Sequence, residues 1–246
     1  MMNDIKTRFD KDGFLQLSMK GADSELLVKL RAHARRLYLD RFDDSVTHNR
    51  SLVKALAGDI IVNRLFFSDT VTACLHELGL KAPVQLGPVA THYTSNNKTG
   101  NEYGLALHQD YPSMASSLNS IVIWISLFEA GQHAHSMEVF PGSHSSGLLP
   151  GKQTETGYII DPEVTDSLGV TKIIDTSEGE MVMFSPFLAH KTYVNSECGH
   201  EAYKLSLSTR FSDIADAHWE ENEFCNAYQT VVDRSLYKKM LQKNER

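Results

Sequence analysis

The feature that most limits what this chain can fold into is a change of texture at Pro83. Before it, apolar residues recur at helical spacing. From there to Phe211 the chain breaks into short runs rich in Val, Ile, Tyr and Thr, separated by Gly, Pro and Asn, which is the pattern of strands and turns. The runs are Val84 to Thr94, Tyr103 to His108, Ser120 to Phe128, Met137 to Phe140, Val170 to Asp175, Glu180 to Phe184 and Lys204 to Phe211. Roughly eight strands of this kind suit a double-sheet jelly roll. The predicted fold is mainly β (α+β), a jelly-roll or cupin-like barrel with flanking helices. A chain of 246 residues fits one large domain with one core, with a helical part over 1–82, a barrel over 83–212 and a helical tail over 213–246.

In the helical part, Leu26, Leu27, Leu30, Ala34, Leu37 and Tyr38 predict a packing helix between Ser24 and Phe42, with Ser24 or Asp23 as N-cap. Arg31, Arg35 and Arg36 fall on its other side and read as a solvated face. Two or three shorter helices follow between Asn49 and Leu80. The last runs from Asp69 to Leu78 with Val71, Cys74, Leu75 and Leu78 inward, so Cys74 is core and His76 surface. Phe9 to Leu15 reads as a turn into a short strand. Thr94 to Asn101 and Ser145 to Leu168 are too polar for core and are candidate lids over a barrel mouth. Beyond Trp219, Tyr228, Val231, Val232, Leu236 and Met240 predict a last helix.

Composition excludes several classes. A net charge of −7 argues against nucleic acid, which needs a basic face. No apolar run approaches ~20 residues, so no membrane helix is expected. The start lacks the apolar core of a signal peptide, which makes the cytoplasm the expected location. Cys74, Cys198 and Cys225 form no C-x-x-C pair, so neither a disulfide framework nor a thiolate zinc site is indicated. The oligomeric state is left open.

The chemistry gathers at Leu107-His108-Gln109-Asp110-Tyr111-Pro112. If the lead-in from Tyr103 is a strand, His108 and Asp110 share one face and Gln109 looks the other way. A histidine and a carboxylate are two-thirds of the facial triad of non-haem Fe(II) oxygenases, whose third ligand must come from elsewhere. Lys204 to Phe211 alternates cleanly, with Lys204, Ser206, Ser208 and Arg210 on one face. A basic residue inside a barrel requires an anion. Lys204 and Arg210 stand ~20 Å apart along such a strand, too far to clamp one small dianion together. A competing cluster, His133, His135 and Glu138, is similar to cupin metal sites, although its Glu is closer than that pattern prefers. It would support a metal-dependent isomerase or a non-catalytic small-molecule-binding protein.

His108-Gln109-Asp110, then Ile121-Val122-Ile123-Trp124-Ile125-Ser126-Leu127, then Glu138-Val139-Phe140-Pro141-Gly142-Ser143-His144, then Gly179-Glu180-Met181-Val182-Met183-Phe184 leading to His190, stand in one order. In that order they resemble the phytanoyl-CoA dioxygenase-like family of Fe(II)/2-oxoglutarate oxygenases, and Pro-Gly-Ser-His is the most family-specific element. The resemblance implies a double-stranded β-helix with iron held by His108, Asp110 and His190. It also implies oxidative decarboxylation of 2-oxoglutarate with O2 to succinate and CO2, coupled to oxidation of a C–H bond. Because family halogenases lack the carboxylate, Asp110 favours hydroxylation or a related oxidation. Family members carry Arg-x-Ser to hold the distal carboxylate of 2-oxoglutarate. Here the matching residues are Lys204 and Ser206, with Arg210 as second candidate because Ser196 to Tyr203 is longer than usual. Trp124 and Thr192 would line the cosubstrate site. The expected substrate is a small polar metabolite, since no basic cluster for a CoA phosphate stands out in the loops.

Overall fold

The computed structural model describes residues 2–43, 45–95, 104–114, 116–128, 130–131, 133–154, 157–176, 180–199 and 203–216. The expected C-terminal helix, Cys225 and most of the expected loop at 94–101 lie outside the described residues. Before the barrel come helices α1 (Met2–Asp12), α2 (Gly21–Leu37), α3 (Val46–Ala57), α4 (Ile60–Phe66) and α5 (Asp69–Glu77), with strand β1 (Phe14–Ser18) between the first two. The strands that follow are β2 (Pro83–Ser95), β3 (Ser120–Ser126), β4 (Ser136–Val139), β5 (Gly151–Thr154), β6 (Gly157–Ile160), β7 (Lys172–Ile173), β8 (Glu180–Phe184), β9 (His190–Tyr193) and β10 (Tyr203–Asp213). Short helices α6 (Tyr111–Met114) and α7 (Pro162–Thr165) interrupt them.

The larger sheet has the order β1-β8-β3-β10-β2, with every neighbouring pair antiparallel. Its outer face is apolar. Ile121, Ile123 and Ile125 of β3, Met181 and Met183 of β8, and Leu205, Leu207 and Phe211 of β10 pack against Leu27, Leu30, Ala34, Leu56, Leu65 and Leu75 of the helices. The intervening residues face inward. Those of β3 and β8, Val122, Trp124, Val182 and Phe184, form an inner apolar cluster with Met137 and Val139 of the second sheet. Both faces of β3 are therefore buried, which accounts for its unbroken apolar run from Ile121 to Ile125. The inward residues of β10 are Lys204, Ser206, Ser208, Arg210 and Ser212, all buried.

The second sheet has the order β7-β4-β9, and His108 continues it through bridges to His190 of β9 and Ile159 of β6, beside the hairpin β5-β6. Two expectations change here. The lead-in to His108 is not a strand: from Gly104 to Leu107 the backbone is irregular and only His108 bridges. Gly104 has φ +99, and a Cβ there would lie 2.3 Å from that of Thr192, so its backbone lies directly on β9. Nor is Ser145 to Leu168 a plain loop. It folds into a short 3-10 turn, the β5-β6 hairpin and α7. This hairpin carries little apolar alternation because it is half-exposed at the sheet margin.

Three smaller expectations change for local reasons. Lys20 precedes α2 without capping it, and the Asp23 carboxylate accepts instead from the Thr70 amide at 3.0 Å, tying α2 to α5. Arg31 is buried and donates to the Ser126 carbonyl at 3.4 Å, while Arg35 and Arg36 are exposed as expected. The turn ahead of β1 is the end of α1, stopped by Gly13 at φ +78.

Pro-Gly-Ser-His is a clasp. The Gly142 amide donates to the Asp12 carbonyl at 2.9 Å, and His144 Nε2 donates to the Asp10 carbonyl at 3.2 Å. Ser143 Oγ donates to the Phe140 carbonyl at 2.7 Å and accepts from the Ala189 amide at 2.9 Å, next to His190. Gly13 packs under this turn, and a Cβ there would fall 2.5 Å from His144 Nδ1 in a left-handed conformation. Gly13→Ala should therefore cost about 2–3 kcal/mol, a fall of roughly 5–10 °C in Tm. Thermal unfolding of the two proteins measures it.

Candidate active site

Two ligand candidates are cross-strand neighbours. The His108 amide donates to the His190 carbonyl at 2.9 Å and the His190 amide to the His108 carbonyl at 3.0 Å. This doubly bonded pair sets the rings side by side, with centroids 4.1 Å apart. Each ring uses Nδ1 on the carbonyl two residues back, His108 on Ala106 at 2.7 Å and His190 on Leu188 at 2.9 Å. A carbonyl only accepts, so both Nδ1 atoms carry hydrogen and, in the neutral ring, both Nε2 atoms keep their lone pairs. Burial first, then the charge of His108, push the His190 pKa down to about 3, which keeps that ring neutral.

Asp110 follows the bridge by two residues. Its amide neighbour Gln109 does look away, fully buried, donating to the Gly147 carbonyl at 2.9 Å and the Phe187 carbonyl at 2.6 Å and accepting from the Leu149 amide at 2.9 Å. That pins the turn. One Asp110 oxygen lies 3.6 Å from His108 Nε2 and the other accepts from Arg210 at 3.0 Å. Burial alone would raise this carboxyl, but the Arg210 guanidinium beside it outweighs burial and holds it well below the ordinary range. One ligand atom from each of His108, Asp110 and His190 lies within 4.8 Å of the others, the one such group of three among the described residues.

Two imidazoles anchored through Nδ1 and one fixed carboxylate on one side of a cavity, each held by a second partner, suit a divalent cation with open positions opposite. The cavity, about 40 Å³, is lined by these three residues together with Trp124, Thr192, Lys204, Ser208 and Arg210. Lys204 donates to the Ser136 carbonyl at 2.9 Å and lies 5.8 Å from the Trp124 ring centre. Burial pulls its ammonium down to about 7. Ser206 is not among the lining residues. Its hydroxyl is buried and has no hydrogen-bond partner among the described residues, and the same holds for Ser126, directly opposite it on β3. Lys204, Ser206 and Ser126 thus leave three buried donors at one end of the barrel interior.

The structure does not assemble His133, His135 and Glu138. His133 is exposed, His135 Nδ1 accepts from the Asn195 amide at 3.2 Å, and Glu138 pairs with Lys191 at 3.1 Å. Conversely, sequence reasoning missed His92 and Ser126. His92 of β2 faces Ser208 across β10, Nε2 to Oγ 3.2 Å, and Ser208 accepts from Arg210 at 2.9 Å. Burial, followed by the charges of Arg210 and Lys204, pushes His92 down to about 3. Only the β2–β10 register, which pairs Ser206 with His92, brings it to the site. Alternation along β3 would have put Ser126 beside Trp124.

The barrel and its two-histidine, one-carboxylate group define an oxygenase-type enzyme dependent on iron and 2-oxoglutarate. The family model of phytanoyl-CoA dioxygenase (PhyH) matches residues 9–200, and the chain belongs to that family. Similar solved structures include the epimerase SnoN in complex with Fe3+, alpha ketoglutarate and nogalamycin RO (18% identity, TM-score 0.64, 86% of this chain and 83% of that one). Another is EctD from S. alaskensis with 2-oxoglutarate and 5-hydroxyectoine (17%, TM-score 0.63, 86% and 76%). A third is AviO1 from Streptomyces viridochromogenes (19%, TM-score 0.61, 88% and 96%). A search of curated proteins returns no match. Among the described residues, no helix is long and apolar enough to cross a membrane.

The Arg210–Asp110 pair makes a specific expectation for the metal-free protein. Asp110's contribution is full above 3.8, the ordinary carboxylate value, and is lost as the pH falls below it. In Arg210→Met the carboxylate is buried without its cation, so burial raises its pKa and the sign reverses: the variant suffers most at high pH. The stability gap between the two proteins should be about 3–5 kcal/mol at neutral pH and narrow toward pH 5. Denaturant unfolding across that range checks it.

Proposed function

We propose that this protein oxidises a C–H bond of a small polar metabolite, by hydroxylation or a related reaction, with Fe(II), 2-oxoglutarate and O2, releasing succinate and CO2. His108, Asp110 and His190 hold the iron. The observation that carries this is the pair of backbone-bound Nδ1 atoms, which turn two lone pairs and a fixed carboxylate toward one point. Bound there, iron supplies the redox chemistry of dioxygen that no side chain offers. Structures such as SnoN and EctD, with iron or 2-oxoglutarate bound in the same fold, support the cofactor assignment.

The chain's own residues fix the cosubstrate. Lys204 is the anchor for the distal carboxylate, because Arg210 is already committed to Asp110 whereas the Lys204 ammonium is buried against a neutral carbonyl. A dianion supplies the counter-charge that burial demands. Ser206 and Ser126 add hydroxyl donors at the same end, compensating for a lysine that lacks the fork of an arginine. Trp124 and Thr192 wall the cavity and exclude water. Arg210 acts through Asp110, holding one carboxylate oxygen so that the other faces the metal.

Loss of a ligand should remove metal without unfolding the barrel. His108→Ala, Asp110→Ala and His190→Ala are expected to lose tight Fe(II) binding and turnover, while His133→Ala keeps both. If anaerobic addition of 2-oxoglutarate to the Fe(II) protein gives no visible charge-transfer band, the keto acid is not the cosubstrate. Lys204→Ala should raise the apparent KM for 2-oxoglutarate at least tenfold, about 1.4 kcal/mol, and leave iron bound. Since the dianion binds the protonated amine, that KM should be flat below pH 7, near the depressed Lys204 value. Above it, KM should climb by up to about tenfold per pH unit, and Lys204→Arg should abolish the climb. Steady-state kinetics on the three proteins decides it.

A further inference from the structure

A second cleft adjoins the metal cavity. It lies between α3 and β2, measures about 200 Å³, and shares His92, Leu105 and Thr192 with the cavity as a common wall. We propose that this cleft binds the primary substrate, and that the substrate carries a carboxylate or phosphate group held by Arg50 and Lys54. The proposal rests on the oxygenase reading above and adds the chemical class of what is oxidised.

Size separates the two spaces. The metal cavity, about 40 Å³, is the smaller of the two, and the adjoining cleft is about 200 Å³. Because the wall is shared, a molecule seated in the cleft lies against the other side of His92, Leu105 and Thr192 from the metal cavity. That wall is built closely: the Leu105 amide donates to Thr192 Oγ1 at 2.9 Å, and Gly104 lies against Thr192 with no space for a side chain.

Charge sets the class of ligand. Arg50 and Lys54 stand one helical turn apart on α3, ~6 Å along its axis, so one anionic group can contact both. Buried Val53 lies between them and lines the floor, and α3 packs on β2 to form the far side. No described residue lining the cleft is acidic, although the whole chain carries a net charge of −7. A cationic pair that runs against the overall charge, on one wall of the cleft, selects anions over cations and neutral molecules. The remaining lining, Thr91, Thr94 and Tyr93, suits a hydroxylated or otherwise polar body. These cations come from a helix ahead of the barrel, which is why a search of the loops for a basic cluster finds none.

Calorimetry on the anaerobic protein loaded with Fe(II) and saturating 2-oxoglutarate tests this without any turnover. The probes are glycerol 3-phosphate against glycerol, and 3-phenylpropionate against its amide. Excess 2-oxoglutarate keeps them from the Lys204 end. Each anion, or one of the two, should bind at least tenfold tighter than its neutral counterpart, and the tighter pair identifies phosphate or carboxylate. The double variant Arg50→Gln/Lys54→Gln, with both changes at exposed helical positions and a good helix former, should lose that preference. Equal affinity within both pairs, no binding of either anion at millimolar concentration, or a preference that survives in the double variant would overturn the proposal. Failure of the oxygenase reading shows separately, as no heat and no visible band when 2-oxoglutarate meets the Fe(II) protein before any probe is added.

Discussion

The structure depends on a buried polar face. β10 runs through the larger sheet with leucines and Phe211 toward the helices and Lys204, Ser206, Ser208, Arg210 and Ser212 toward the barrel interior, all of them removed from water. Charges so placed are costly unless paired. Arg210 finds Asp110, and that contact joins the sheet to the segment carrying His108 and Asp110. Lys204 finds a neutral carbonyl and the Trp124 ring. The two buried cations thus differ in their partners, a carboxylate for Arg210 and a neutral carbonyl for Lys204.

The histidines express the same economy in backbone terms. Their positions follow from one bridge in the smaller sheet, and their tautomers from two carbonyls, so the direction of both lone pairs is settled before any metal arrives. The clasp at Ser143 extends this outward. By accepting from the Ala189 amide while its neighbours hold the end of α1, it gives the residue ahead of His190 a fixed support from an element distant in sequence. A motif that marks a family need not touch the chemistry.

What could be read from the sequence was what periodicity carries. The texture change at Pro83, the continuous apolar run of β3 and the alternation of β10 gave the barrel and put Lys204 and Arg210 inside it. His108 and Asp110 were visible as a pair, but for a partly wrong reason, since Gly104 to Leu107 is held irregularly against Thr192 instead of pairing as a strand. The β5-β6 hairpin stayed hidden because a half-exposed margin strand needs no apolar alternation. His92 and the Arg210–Asp110 pair were illegible in principle, each depending on a partner at least 100 residues away in sequence. Arg31 was expected on the solvated side of α2, but it lies one turn after Leu27 on the buried side and donates to the Ser126 carbonyl.

The order of strands in the larger sheet has a consequence for how the molecule comes into being. β10, the last described strand, sits between β3 and β2, which precede it in the chain by some eighty residues or more. Until it arrives, both of those strands present open edges, and the helices lack Leu205, Leu207 and Phe211 as packing partners. A chain emerging in sequence order therefore carries a nearly complete helical layer over a divided sheet, and insertion of one strand joins the halves. Such a topology folds late and slowly, because its decisive contacts are long-range. It makes the interval before β10 docks the period in which the nascent protein is most exposed to strand-edge association with its neighbours.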